Sequence, residues 1–419
     1  MEASFLFDLL DEMKSVEGSD AKTLYDDVRA MADNVVPELP CKNLVRLLRR
    51  LRDLFSLHDR WQLETNESKK KRMDATFSWK IFQNQNFVLD NFDPAFGLLG
   101  LNGEGIREVD KIVLLSGTLF PIYDFEYCFD GMRDFDEREK NVTNEFLRLR
   151  NGHSVPKENT LSLFTSQTLS WIKAQEGTSL NLLCTSPNWR ENTDFTLSLG
   201  LSVNRLTDRL PPGNGGILII FPSKFTMQHT IDVWKKTIRH PTAKNVCTNV
   251  WEKLSKNNVL FVENEDHHRV MVSFKKIVDN KKRNAIFFCY MRGNLTEGCN
   301  LPNRYCRMAI ILGIPIANVG DPTVIGMKNF FETKYSEHKP DFLELDAARV
   351  MVQAAGRVYR TPNDFGCVIL LDSRSWFKIS KYFPDWMRKI AAPFVTNTEK
   401  YVAEFFDKRA VLDLSLIHI

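Results

Sequence analysis

The chain has 419 residues, 43% hydrophobic and 26% charged, with a formal net charge of +3. That length accommodates about two or three domains, and the composition supports a packed core without special staples. The near-neutral balance excludes a molecule that is a polycation throughout, so any surface for nucleic acid must be a local patch.

The eight cysteines, Cys41, Cys128, Cys184, Cys247, Cys289, Cys299, Cys306 and Cys367, are scattered and form no CxxC pair. Several sit inside apolar runs such as FFCYM and GCVIL, which reads as buried thiols of a reducing compartment and as neither a disulfide framework nor a zinc site. His267 and His268 are adjacent, but no second ligand pair stands at metal-binding spacing. No opening stretch reads as a signal peptide and no apolar run approaches the roughly 18 residues of a membrane span. The expectation is a protein of the cell interior that does not enter a membrane.

Along the chain, the first part reads as helical. Leu44, Leu47, Leu48, Leu51, Leu54 and Phe55 recur at three- and four-residue steps, an apolar stripe whose wet face holds Arg46, Arg49, Arg50 and Arg52. The basic run Lys69 to Arg72 follows. It reads as a solvated turn, with a nuclear localisation signal or a phosphate contact as the alternatives. From there short apolar runs alternate with helical segments: KIVLLSGTL, GGILIIFPS, AIFFCYMRG, RMAIILGIP and GCVILLDSR. Nearly unbroken apolar runs of this length suit strands buried on both faces of a parallel sheet, and the alternation predicts an open α/β architecture. The intervening helices include KFTMQHTIDVWKKTI and the segment opening after Asp346. The polar stretch 141–212 carries no clear assignment.

Ligands of open α/β sheets gather at the carboxyl ends of the strands. There the sequence offers Ser116-Gly117-Thr118, then Pro222-Ser223 with Ser223 as an N-cap, then Arg292-Gly293 and Thr296-Glu297-Gly298. Helix starts of this kind suit a phosphate. Toward the end of the chain, MVQAAGRVYRTPNDFG places Gln353, Arg357 and Arg360 on one predicted helical stripe that stops at Pro362. Ala347, Ala354, Ala355 and Gly356 keep that backbone slim, as for a close neighbour. With the strand-end turns, the arginines are expected to form one anion-facing rim; a solvated basic face is the alternative.

SGTLFP, GGILIIFPS, RGNLTEGCNL, GIPIANVGDP and QAAGRVYRTPNDFG occur in the order and approximate spacing of the second half of a superfamily-two helicase. The chain resembles the XPD-type DNA helicases with an iron–sulfur cluster, and within them the Fanconi anaemia J-group and telomere-length-regulator helicases, over about Asp74 to Arg409. The resemblance implies a RecA-like parallel-sheet motor domain 2 over 121–409, preceded by the last part of motor domain 1 over 75–120. Residues 1–74 resemble the returning part of the arch domain, a helical segment. It implies Arg357 and Arg360 as arginine fingers on the γ-phosphate of ATP, with Gln353, Gly356, Glu297, Gly298 and Asn300 at the nucleotide. Ser223, Arg292 and Thr296 lie toward the single strand or the interdomain cleft in the same analogy, with an apolar or aromatic wedge that the sequence does not identify as a further stacking contact. ATP and Mg²⁺, single-stranded or forked DNA, a nuclear location and 5′ to 3′ movement are further implications.

Two features depart from that pattern. Asn294 and Asn300, the latter followed by Leu301, stand where the family has a lysine and an aspartate. Asn300 keeps an acceptor without the charge, and Asn294 offers at most a neutral hydrogen bond. No GxxxxGK[ST] loop, no Asp-Glu-Ala-His box and no four cluster cysteines occur in these 419 residues; the resemblance implies a missing motor domain 1 that shares ATP and Mg²⁺, and an iron–sulfur cluster only in the missing part. The expectation is a carboxyl-terminal helicase fragment, inactive by itself. The alternative is a standalone motor-dead module that binds nucleic acid or a partner. Residues 410–419 read as a tail in which 414–419, LSLIHI, is what a sequencing adapter could encode.

Overall fold

The computed structural model describes residues 77–81, 87–91, 154–173, 177–241, 243, 246–264, 266–294, 299–334, 341–393, 395 and 397–416, with 26, 29 and 30 besides. The chain divides into two compact units. One comprises Met1–Leu115, Ile122–Arg148 and Ala317–Phe342, the other Ser116–Pro121, Leu149–Ile316 and Leu343–Ile419. The leucine stripe of 44–55, the basic run 69–72, the Ser116 turn and Thr296, Glu297 and Gly298 lie outside the described residues.

In the first unit, β1 (Phe77–Ile81) and β2 (Phe87–Asn91) form an antiparallel pair in which Phe77 faces Asn91. The second unit carries the sheet. In chain order its elements open with β3 (Thr160–Thr165), the short pair β4 (Gln167–Leu169) and β5 (Ser179–Asn181), α1 (Ser186–Glu191) and α2 (Thr193–Thr207). Next come β6 (Gly216–Phe221), α3 (Lys224–Trp234), the pair β7 (Ile238–Arg239) and β8 (Cys247–Thr248), α4 (Val250–Asn257), β9 (Asn258–Val262), α5 (His267–Asn280), β10 (Asn284–Tyr290) and β11 (Met308–Leu312). Helix α6 (Pro322–Lys334) falls in the segment that groups with the first unit. The chain then gives α7 (Phe342–Ala355), β12 (Gly366–Leu371), α8 (Ser375–Ile379), α9 (Asp385–Ile390), β13 (Ala391–Ala392) and α10 (Thr398–Leu416), whose last residues include Leu414 to Leu416 of the closing hexapeptide.

Seven strands form one sheet in the order β13-β3-β12-β11-β6-β10-β9, every pair parallel. This is the expected open α/β architecture built on a parallel sheet. Strands β6, β11 and β12 are buried along their whole length, which is why their sequences read as unbroken Ile, Leu and Val instead of alternating. Strand order reverses at β6: β9 and β10 follow it in sequence on one side, β11 and β12 on the other.

Strand β3 and helix α2 occupy the stretch that lacked assignment. Several of their buried polar residues are small and paired inward. Thr165 Oγ1 lies 2.7 Å from Thr398 Oγ1, and Ser198 Oγ accepts the Trp171 N–H at 2.7 Å. Asn192 caps α2 by accepting from Phe195 N–H at 2.9 Å, and Phe195, Leu197, Leu199, Val203 and Leu206 enter the core. Gly200 lets α3 approach, since a Cβ there would lie 2.7 Å from Trp234 Nε1. Trp234 in turn donates to Thr196 O at 2.9 Å.

Candidate nucleotide and nucleic-acid edges

The sheet presents its chemistry at two opposite edges. At the carboxyl edge, Met291 N–H donates to Phe221 O at 2.8 Å and Gly313 N–H to Leu371 O at 3.2 Å, aligning the ends of β6, β10, β11 and β12. At the amino edge, Arg307 N–H donates to Gly216 O at 2.9 Å and Cys367 N–H to Arg307 O at 2.9 Å. Strands of five to seven residues separate the two edges by roughly 20 Å.

Ser223 and Arg292 lie at the carboxyl edge. Ser223 caps α3 as expected: its Oγ accepts Thr226 N–H at 3.1 Å and meets Thr226 Oγ1 at 2.9 Å. Arg292 holds a left-handed φ of 60°. Its guanidinium is ion-paired with Asp346 and donates to Pro315 O at 3.1 Å, so a phosphate reaching it must compete with a carboxylate already in place. Beside the cap, the side chain of Phe225 is 57% exposed. Its ring lies parallel to that of His229, with 6.2 Å between centroids, and under the Arg190 guanidinium at 5.1 Å. The sequence had no means of selecting Phe225, because it stands at the start of a core helix where a buried aromatic is equally expected.

The arginines lie at the other edge, which corrects the expectation of a single rim. The physical reason is chain direction: α7 runs from Asp346, beside Arg292, back toward the start of β12, so its end reaches the amino ends of the strands. The expected helical stripe is also corrected. The helix closes at Ala355. Arg357 N–H and Val358 N–H turn to carbonyls three residues back, at 3.1 Å each, which tightens the last turn. Tyr359 then anchors the chain by donating to Leu161 O at 2.8 Å.

In consequence the three expected residues have three environments. Gln353 is exposed. Arg357 is only 7% exposed, and its guanidinium donates to Cys299 O. Burial, and then the nearby charge of Arg360, push that guanidinium below its ordinary pKa. Arg360 is exposed, and its side chain has no ion-pair or hydrogen-bond partner among the described residues. Gly356 has room to spare: a Cβ would meet only Val352 O at 3.4 Å and Gln353 O at 3.5 Å. Among the described elements nothing approaches Gly356 closely.

Asp364, which the sequence reading passed over as part of a turn, is fully buried between these pieces. Its Oδ2 accepts Arg360 N–H at 2.9 Å and Thr361 N–H at 2.7 Å, and its Oδ1 accepts Asn303 N–H at 2.7 Å. The Arg307 guanidinium stands 3.9 Å from Oδ1. An Asp two residues past a proline, inside a Pro-Asn-Asp turn, is ordinary turn chemistry; only the fold brings Asn303 to it. Asn300 itself is exposed.

The amino-edge donors fit an anion, since Arg360 offers an uncommitted cation on an anchored main chain. They do not fit a metal: among the described residues no group of three His, Cys, Asp or Glu side chains could hold one.

Residues 206–390 match the family model described as the helicase C-terminal domain. Over 320 residues the chain is 28% identical to a protein named Regulator of telomere elongation helicase 1 homolog from Caenorhabditis briggsae, covering 73% of this chain and 29% of that protein. Over 308 residues it is 27% identical to a protein named ATP-dependent DNA helicase CHL1 from Vanderwaltozyma polyspora, covering 70% of this chain and 33% of that protein. The chain thus spans about a third of the length of these relatives. A solved structure titled XPD_Helicase aligns over 93% of this chain and 64% of its own at 15% identity, with a TM-score of 0.44. The matched residues 206–390 contain β6 through β12 and both edges, so the likeness to the helicase C-terminal domain falls on the part of the chain that carries the site.

Proposed function

We propose that this domain is the second motor half of an ATP-dependent DNA helicase of the nucleus, with its amino edge toward the nucleotide and its carboxyl edge toward single-stranded DNA. The observation that carries this reading is the separation of the two kinds of group: an uncommitted Arg360 guanidinium at one edge, and a capped helix start with an exposed aromatic at the other. MgATP, held mainly by a first motor domain with a phosphate-binding loop, supplies the phosphoryl group. Arg360 neutralises charge spreading over the transferred oxygens, an effect worth about 10³–10⁵ in rate for arginine fingers. Asn300 offers an acceptor to a ribose hydroxyl. Gln353, exposed on α7, offers its amide to the nucleotide. By the helicase analogy Glu297 and Gly298 couple nucleotide state to the DNA track, and Thr296 contacts the single strand.

At the carboxyl edge, Ser223, Arg292 and the α3 start position the phosphates, and phosphate contacts set register without reading sequence. Phe225 is the aromatic on which a base stacks, worth about 1–3 kcal/mol per base. The test is fluorescence anisotropy of this chain with oligo(dT) and with an abasic strand of equal charge. The expected result is tighter binding of oligo(dT), with Phe225→Ala reducing it to the abasic level. A chain that ignores both strands would overturn the DNA-facing assignment. In the longer polypeptide, DNA-stimulated ATP turnover is expected; its absence would return the reading to a motor-dead binding module.

A further inference from the structure

The loop that carries Asn300 is held on both flanks by the arginine segment. On one flank Cys299 O accepts from the Arg357 guanidinium. On the other, Asn303 N–H is held by Asp364 at 2.7 Å. Asn303 needs that support: it follows Pro302 and adopts a left-handed φ of 58°, a conformation that costs free energy in any residue with a Cβ. The same Asp364 carboxylate holds the main chain of Arg360 and Thr361. Its third neighbour, Arg307, is fixed to the sheet through Gly216 O and Cys367 N–H, and stacks 3.7 Å from the Phe365 ring centroid.

We propose that Asp364 and Arg357 are positioning residues that clamp the Asn300 loop to the Arg360 segment, so that the two nucleotide-facing pieces move as one body referenced to the amino edge of the sheet. Arg357 then acts through its carbonyl contact and does not reach the nucleotide, which leaves Arg360 as the finger. The functional meaning rests on the nucleotide-facing reading of this edge; the mechanical linkage does not.

One buried carboxylate accepting three N–H groups makes the linkage cooperative. Each bond to an ionised acceptor is about twice as strong as a neutral one, and losing the acceptor leaves buried donors unsatisfied. Asp364→Asn keeps the shape but presents an amide NH₂ to one set of donors.

The test is amide hydrogen exchange on the 419-residue chain. In the unmodified protein the amides of Asn303, Arg360 and Thr361 are expected to open together, with one denaturant dependence. In Asp364→Asn all three exchange faster by about tenfold or more, while β11 and β12 keep their protection. Arg357→Ala is expected to speed exchange at residues 299–303 only. The clamp is wrong if Asn303 keeps its protection when Arg360 and Thr361 lose theirs. It is equally wrong if β11 and β12 open along with them, which is the mark of a general structural role.

Inorganic triphosphate adds a readout that stability alone does not move. In the unmodified chain it should slow exchange at Asn303 as well as at Arg360. In Asp364→Asn the effect at Arg360 persists and that at Asn303 disappears. Triphosphate protection at Arg360 without any at Asn303 in the unmodified chain counts against the clamp. A chain that ignores triphosphate while its three amides remain coupled counts against the nucleotide-facing reading instead.

Discussion

Arg357 and Arg360 are three residues apart and chemically identical, yet their surroundings assign them different work. Arg360 has its main chain tied to Asp364 at 2.9 Å and its guanidinium in solvent; Arg357 is sunk against Cys299 O. If the longer polypeptide hydrolyses ATP as proposed, Arg360→Ala should lower turnover about 10³-fold or more with single-strand affinity within about twofold, since the proposed phosphate contacts to DNA are on the other edge. Steady-state hydrolysis and anisotropy on one preparation check this. Loss of binding in parallel with turnover would return Arg360 to the role of a solvated basic face. Ser223→Ala is a smaller change. It removes the acceptor for Thr226 N–H, and loss of such a cap costs about 1 kcal/mol, measurable as a lower urea midpoint at unchanged slope.

The elements show why some segments were readable and others were not. Strands β6, β10, β11 and β12 announce themselves because parallel strands under helices are apolar on both faces. Strand β3, TLSLFT, hides because Ser162 and Thr165 are buried in positions where polar residues suggest a surface. Helix α2 hides for a related reason: Thr196, Ser198, Ser202 and Thr207 are buried among its apolar side chains, which erases the polar face that periodicity needs. At its crossing with α3, Gly200→Ala would set a methyl 2.7 Å from the Trp234 ring. Overpacking of this kind costs about 1–3 kcal/mol, so the variant should unfold at lower urea. An unchanged midpoint would mean that the Trp234 ring yields freely.

At the scale of the whole sheet-bearing unit, the cysteines report on the core. Cys184, Cys289, Cys306 and Cys367 are buried free thiols. Burial pushes the Cys306 thiol up to about 12; burial first raises those of Cys184, Cys289 and Cys367, with Asp372, Glu263 and Cys306 respectively as the second cause. A thiol whose folded pKa exceeds its unfolded value contributes stability below the unfolded pKa and loses it as pH rises toward the folded one. Stability should therefore fall as pH climbs above about 9, which urea titrations at pH 8 and pH 10 would show. At neutral pH an aromatic disulfide reagent should label the exposed Cys247 quickly and these four only on unfolding. Rapid labelling of Cys306 would mean that the amino edge opens without the sheet.

By itself the sequence determined the parallel α/β class, four of the central strands, the cap at Ser223 and the presence of an arginine segment after a slim helix. These follow from burial periodicity and local turn chemistry, which act between residues near in the chain. Only the tertiary structure decided that Arg357 and Arg360 lie at the edge opposite Ser223 and Arg292, that Arg357 is buried while Arg360 is not, and that Asp364 joins residues 303 and 360. Those facts depend on the direction in which α7 crosses the sheet and on a loop from β10 to β11 returning to meet it. Contacts between residues about sixty positions apart arise from packing, and no local pattern in the sequence encodes them.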